Sequence, residues 1–277
     1  RTQMRLSGLK FRQIYVFPML VQILEMCFAK PFFEFFEHNK QTAYCFGNVW
    51  YDLKPRFKHL RKFNWVYSFD FSSFDQTVPI ELMSYFFSWL KSHLFMRSSK
   101  WSYIFEKVAE FNMCCNVLTS YNGQPVLVKK TGSVMSGSVF TNFLDTWVNL
   151  FVFNYYFIAN GHDPLVFFMN VLGDDNLLGS NYRLDLNHFS RFVFDNFGMI
   201  VDPKKCDEYG QGWQTVHFLG CDQNEFGRFI NTDLADRQLA VSEEFISEDE
   251  MSESTRVLSK LASLSFKFTD GYKYFDS

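Results

Sequence analysis

The sequence has no Cys-x-x-Cys pair, no Gly/Ser/Pro-rich stretch and no repeat at the periods of about 20–50 residues that mark solenoids. The first absence argues against a zinc clamp or a disulfide framework for Cys27, Cys45, Cys114, Cys115, Cys206 and Cys221, and with no signal-peptide pattern at the start it predicts a reducing, intracellular setting. The second and third argue against a linker between separate modules and against a repeat array. A long clean apolar run is missing too. The most apolar stretch, residues 140–159, carries Asn142, Asp145, Asn149 and Asn154, too many polar groups for a lipid-facing span of about 20 residues. Strong net charge is also lacking: −3 over 277 residues, which argues against a generic nucleic-acid coat.

What is present is apolar and aromatic. Hydrophobic residues make up 47% of the chain, enough for a substantial core, and the 36 phenylalanines are scattered among charged residues, so they read as core filler. The small net charge hides an asymmetry. Residues 1–62 hold eleven Lys/Arg against four Asp/Glu, an excess of +7 that leaves the remaining 215 residues at −10. A basic end and an acidic body suit an enzyme that grips phosphates with one part and cations with another; a solvated basic face is the plainer alternative.

The pattern predicts one continuous mixed α/β unit. A helix is expected from Met19 to Ala29, ending before Pro31, and a strand over residues 66–71. Helices are expected near residues 80–95, 100–116, 139–159 and 184–196. Asn122-Gly123 between two β-type runs predicts a hairpin, because both turn residues tolerate positive φ. Further strands are expected at 199–201, 216–221 and 228–231, and an acidic tail at 242–254.

Four segments carry candidate chemistry. Gly173-Asp174-Asp175 interrupts two apolar runs, so the chain must turn there and present two carboxylates together. Like charges held close are costly, and a divalent cation relieves them; hard oxygen donors favour Mg²⁺ or Mn²⁺. A two-ion site, with ions about 3.5–4 Å apart, needs a further carboxylate from a neighbouring strand. Asp70 is the candidate, with a surface or turn aspartate as its plainer alternative, and Asp75 is carried into the following loop to face a sugar hydroxyl. The small-residue loop from Gly132 to Ser138, containing Ser136 and Gly137, permits close approach of a template or nucleotide. In the helix that follows, Thr141, Asp145 and Asn149 recur every four residues and share one face; satisfied buried polar groups are the alternative there. Lys10 and Arg12 alternate on an extended segment where both cations can meet a triphosphate, or simply face solvent.

In this order the segments resemble the palm of viral RNA-dependent RNA polymerases. Lys10-x-Arg12-x-Ile14 looks like the family's basic fingers motif and Asp70-x4-Asp75 like its first palm motif. Ser136-Gly137-x3-Thr141-x7-Asn149 is similar to the second, and Gly173-Asp174-Asp175 to the third. Residues 198–205 resemble the fourth and Phe218-Leu219-Gly220 the fifth. The wording around Ser136 looks most like polymerases of partitivirus-like or picobirnavirus-like double-stranded RNA viruses. One departure is Asp145, where many relatives carry Asn; if it approaches Asp75, one of the two must be protonated or pair with a cation.

The resemblance implies an α+β right-hand polymerase palm, an antiparallel sheet carrying the carboxylates and packed on helices, with partial fingers at 1–62, palm at 63–231, and the palm end and start of a thumb at 232–277. It implies template-directed phosphodiester formation by two Mg²⁺ or Mn²⁺ ions held by Asp70, Asp174 and Asp175. Lys10 and Arg12 would take the triphosphate, Lys205 would act as general acid with its neighbour Lys204 as the other candidate, and Ser136, Gly137 and Thr141 would contact nucleotide or template, with Asp75 and Asn149 reading the 2′-hydroxyl. Its implied partners are RNA template and product strand, nucleoside triphosphates and a viral capsid protein, with no membrane segment, in the host cytoplasm or inside the virus particle. A reverse transcriptase shares the carboxylate arrangement, and a non-catalytic RNA-binding relative or a two-metal phosphodiesterase are the other readings.

Overall fold

In a computed structural model of the chain, the residues described are 2–5, 8–11, 15–47, 50–224 and 228–229. Two short strands, β1 (Thr2–Arg5) and β2 (Gly8–Phe11), form a hairpin, followed by helices α1 (Met19–His38) and α2 (Trp50–Leu60). Next come β3 (Trp65–Ser68), β4 (Phe71–Ser72), the single-turn α3 (Phe74–Thr77), α4 (Ile80–Ser92) and α5 (Ser99–Met113). A hairpin of β5 (Cys114–Tyr121) and β6 (Gln124–Thr131) leads to α6 (Thr141–Ala159), β7 (Phe168–Leu172), β8 (Asp175–Ser180) and α7 (Leu186–Phe197). Short strands β9 (Ile200–Val201), β10 (Asp207–Tyr209), β11 (Val216–Phe218), β12 (Cys221–Gln223) and β13 (Arg228–Phe229) follow.

The central sheet has the order β10-β3-β8-β7, antiparallel throughout. Its neighbours are set by side chains. Tyr67 and Leu178 are register partners in β3 and β8, and both are fully buried, so slipping by one residue would turn each to the wrong face. Helices α6 and α7 cover one side through Phe69, Phe153 and Phe189, whose rings meet at centroid distances of 4.6–5.1 Å. On the other side Leu53, Phe57 and Leu60 of α2 pack with Val66, Leu177, Val216 and Phe218. Residues 43–45 also join the sheet, Cys45 donating its backbone N–H to the Val171 carbonyl and Val171 to that of Ala43. The basic first 62 residues therefore lie in part directly against the sheet.

Several local expectations are corrected. The helix expected over 100–116 ends at Met113, where β5 begins, and the strand expected at 216–221 breaks at Leu219 and Gly220, both of positive φ, into β11 and β12. Helix α1 does not stop before Pro31 but runs through it to His38. A proline in a helix interior costs about 3 kcal/mol, and here aromatic packing offsets it: Phe32, Phe33 and Phe36, all beyond the proline, each meet the Phe143 ring of α6. The strand expected over 66–71 is broken, since backbone pairing of β3 ends at Ser68 and β4 pairs instead with β9. The Asn122-Gly123 hairpin is as expected, both residues having positive φ, and it extends to eight residues per strand. The strand expected at 228–231 is described only at 228–229; Arg12, residues 230–231 and the 232–277 segment with its acidic tail lie outside the described residues.

Candidate active site

The Gly173-Asp174 turn joins β7 to β8 at one end of the sheet. Gly173 has φ +67°, a conformation costly for side chains, and a Cβ there would stand 3.2 Å from the Asn142 amide nitrogen. Three polar residues hold the turn. Thr146 Oγ1 accepts the Gly173 N–H at 2.8 Å. Asn149 Nδ2 donates to the carbonyls of Gly173 and Asp174, both at 3.1 Å, and Asn176 Nδ2 donates to the Asp174 carbonyl at 3.0 Å. Thr146 and Asn149 come from one face of α6, so this helix fixes the turn from behind.

Asn176 does a second task. Just beyond the last backbone pair of β3 and β8, its side chain accepts the Phe69 N–H at 2.9 Å and donates to the Phe69 carbonyl at 3.1 Å. A side-chain amide thus continues the ladder where the backbone stops. It sets Phe69, and with it Asp70, beside the start of β8. Asp70 is half exposed and Asp174 and Asp175 are exposed, so the three carboxylates reach solvent at the same end of the sheet.

Their charges act on one another. Asp175 keeps solvent access on one side, yet the protein packed around it, then Asp174 and then Asp70, push its carboxyl up to about 6, while His217 pulls the other way. Asp145 is buried in α6 and hydrogen-bonds with Asp75; burial first, then the Asp75 and Asp174 charges, raise its pKa well above the usual carboxylate range. The proton expected on one member of that pair thus belongs on Asp145, which can then donate to Asp75. The other Asp145 oxygen, Oδ1, is buried with no hydrogen-bond partner among the described residues, as is Asn149 Oδ1.

Lys205 approaches this end of the sheet through a loop. Its Nζ lies 3.9 Å from Asp70 Oδ2 and 3.3 Å from Asp202 Oδ2, whereas Lys204 turns its backbone N–H to Asp202 Oδ1 at 3.1 Å. Of the two neighbouring lysines, Lys205 is the one whose ammonium faces the carboxylates. Asp202 closes the loop onto the strand end by donating its N–H to the Asp70 carbonyl at 3.2 Å.

The small-residue loop lies beside Asp75, whose carbonyl accepts the Val134 N–H. Ser136 is exposed at its tip and Gly137 is half-buried. The anticipated stripe on α6 divides in its tasks: Thr141 turns its hydroxyl back onto the loop carbonyls of Met135 (2.7 Å) and Ser138 (2.8 Å), Asp145 meets Asp75, and Asn149 holds the turn. The Lys10 backbone lies in β2 opposite Gln3; its side chain and all of Arg12 lie outside the described residues.

Sequence reasoning missed Asn176, Thr146 and His217. Asn176 left a readable signal, a lone amide opening an otherwise apolar strand directly after the acidic turn.

The donor set fits a hard divalent cation in kind: oxygen ligands only, of like charge, with the Asp175 carboxyl held up near 6 by burial first and then by the charges of Asp174 and Asp70. As the side chains stand, no three acidic, histidine or cysteine groups among the described residues converge closely enough to hold an ion. Asp70 is turned toward Lys205, so binding would draw it away from that partner. No described helix is long and apolar enough to cross a membrane.

A family model described as viral RNA-dependent RNA polymerase matches residues 1–277. Two solved structures share the fold, the RNA-dependent RNA polymerase of a human picobirnavirus and an insertion-loop deletion mutant of that enzyme, each at 19% identity with a TM-score of 0.78 over 96% of this chain. The chain spans about half the length of these two structures, 52% and 53% respectively. No curated protein matches it.

Proposed function

The chain belongs to the viral RNA-dependent RNA polymerase family, and from that premise we propose that it carries the catalytic centre for joining ribonucleotides on an RNA template. The observation that supports this reading most directly is the end of the central sheet, where Asn176 couples the end of β3 to the start of β8 and so sets Asp70 beside Asp174 and Asp175. Family membership carries a general dependence on divalent metal. We assign the ions to Asp70, Asp174 and Asp175, with Mg²⁺ or Mn²⁺ the species suited to all-oxygen donors; when bound, they supply charge stabilisation for phosphoryl transfer.

The remaining residues bind and orient. Lys205 lies near the carboxylates without a buried carboxylate partner of its own, so it can give a proton or a positive charge to a leaving pyrophosphate. Asp75, beside buried Asp145 whose pKa is raised by burial first and then by the Asp75 charge, offers an acceptor for a ribose hydroxyl. Ser136 and Gly137 present a loop of small side chains to nucleotide or template, and Thr141 braces that loop from the helix start. Asn149 supports the catalytic turn; its Oδ1 is buried, so it would accept from a substrate hydroxyl only after the turn shifts to uncover it. Lys10 and Arg12 complete the site by meeting the triphosphate. RNA template, product strand and nucleoside triphosphates are the ligands, a capsid protein is a partner, and the host cytoplasm or the virus particle is the setting. We divide the chain into partial fingers (1–62), palm (63–231) and the start of a thumb (232–277).

Incorporation of ribonucleoside and deoxyribonucleoside triphosphates on one RNA template tests the assignment. It predicts Mg²⁺-dependent extension with ribonucleotides strongly preferred. Preferred extension with deoxyribonucleotides would make the protein a reverse transcriptase, and RNA cleavage without added triphosphates would make it a phosphodiesterase.

A further inference from the structure

Helix α1 reaches across to the nucleotide-contacting loop with two residues one turn apart. Gln22 Nε2 donates to the Gly137 carbonyl at 2.9 Å. Glu25, fully buried, accepts from Ser138 Oγ at 3.0 Å, from the Val139 N–H at 2.8 Å and from Asn112 Nδ2 at 2.7 Å. Burial raises the Glu25 pKa above the usual carboxylate range, and the three donors offset only part of that rise. A buried carboxylate that engages three donors from two other elements does more than fill space: leaving any of the donors unpaired would cost it a desolvated hydrogen bond.

The chain just before α1 closes over the same loop. The Tyr15 N–H approaches Ser136 Oγ at 3.3 Å, and a Cβ at Gly137 would stand 2.3 Å from the Tyr15 carbonyl oxygen and 3.0 Å from the Phe17 ring. Glycine at 137 is therefore required for the loop to seat against residues 15–17. The first half of the loop is fixed elsewhere, Ser133 and Val134 donating to the carbonyls of Val78 and Asp75. The loop is thus strung between the element that bears Asp75 and helix α1, with exposed Ser136 at its tip.

We propose that Gln22 and Glu25 are positioning residues that clamp residues 136–139 from α1 and so set the loop's place against the incoming nucleotide. The proposal rests on the polymerase reading for what the loop touches, and on the hydrogen bonds alone for the clamp. Glu25 must serve purely as an acceptor. The Ser138 hydroxyl already accepts the Phe140 N–H at 3.1 Å and gives its own hydrogen to Glu25, so the amide of a Glu25→Gln variant sets a donor against one of the three donors.

The test uses Gln22→Ala and Glu25→Gln in the otherwise unaltered chain, with two readouts. Backbone hydrogen exchange at residues 136–139 is expected to quicken at least tenfold in both variants while that of β7 and β8 is unchanged. Single-nucleotide incorporation is expected to show KM for the nucleotide raised about tenfold, the effect of losing one hydrogen bond to a charged or tightly held group, with kcat within about threefold. Unchanged exchange at 136–139 overturns the clamp whether or not the protein polymerises. Quickened exchange with unaltered KM, or with kcat falling in step with the folded fraction, overturns the positioning role. Should Glu25→Gln fail to fold, Gln22→Ala decides alone, since it leaves no buried charge behind. Absence of RNA-templated incorporation by the unaltered protein would fail the polymerase reading, while the exchange result would still judge the clamp.

Discussion

Replacing Asn149 with alanine separates two tasks that one side chain can perform at this site. Asn149 is fully buried, and its Nδ2 supports the carbonyls of Gly173 and Asp174. Each such bond contributes about 1 kcal/mol, and the Gly173 carbonyl would be left without this donor while Asp174 keeps Asn176. Removing Oδ1, which has no partner among the described residues, offsets part of the loss. The net expectation is destabilisation by about 1–2 kcal/mol, hence a Tm lower by about 2–8 °C, within the total stability of a domain of this size. The turn would shift, and a displacement on the order of 1 Å costs about a hundredfold in rate. The assay pairs thermal unfolding with incorporation of ribo- and deoxyribonucleotides. If Asn149 holds the turn, both nucleotides lose incorporation together and Tm falls. An unchanged Tm with lost preference for ribonucleotides would refute this reasoning and leave sugar recognition as the residue's work.

Two further expectations concern stability. Asp175 has its carboxyl raised to about 6, so the folded protein binds a proton more tightly than the unfolded one. Without divalent cation, its contribution to stability rises as pH falls from 7 through 6 toward the unfolded value near 4, and Asp175→Asn should raise Tm at pH 7, flatten that pH dependence in urea titrations, and abolish incorporation. Pro31→Ala should raise Tm by several degrees without altering incorporation, because the Cys27 carbonyl of α1 regains a donor; a helix that ended at residue 30 would show almost no change.

Short-range rules located the acidic turn, because Gly173 between two apolar runs leaves few other conformations, and the Asn122-Gly123 hairpin for the same reason. The spacing of Thr141, Asp145 and Asn149 placed them on one helix face, but spacing could not say that each would meet a different neighbour. Contacts between residues far apart in the chain were not legible. The Asn176 bridge to Phe69 spans 107 positions and the Glu25 bond to Ser138 spans 113, and local pattern has no reach over such separations. The passage of α1 through Pro31 was hidden for a related reason: the rings that offset the cost belong to α6 as well as α1. Helix α2 also escaped, its buried Leu53, Arg56, Phe57 and Leu60 being interleaved with Pro55 and exposed lysines.

One metal-dependent polymerising site is assigned to the Gly173-Asp174-Asp175 turn together with Asp70. Asp174 is exposed, and only its carbonyl is bonded to Asn149 and Asn176, so Asp174→Ala leaves those bonds in place. This variant is expected to unfold at nearly the unaltered Tm yet to lose Mg²⁺-dependent ribonucleotide incorporation on an RNA template by at least about a thousandfold. Incorporation at the unaltered rate by a folded Asp174→Ala protein would contradict it.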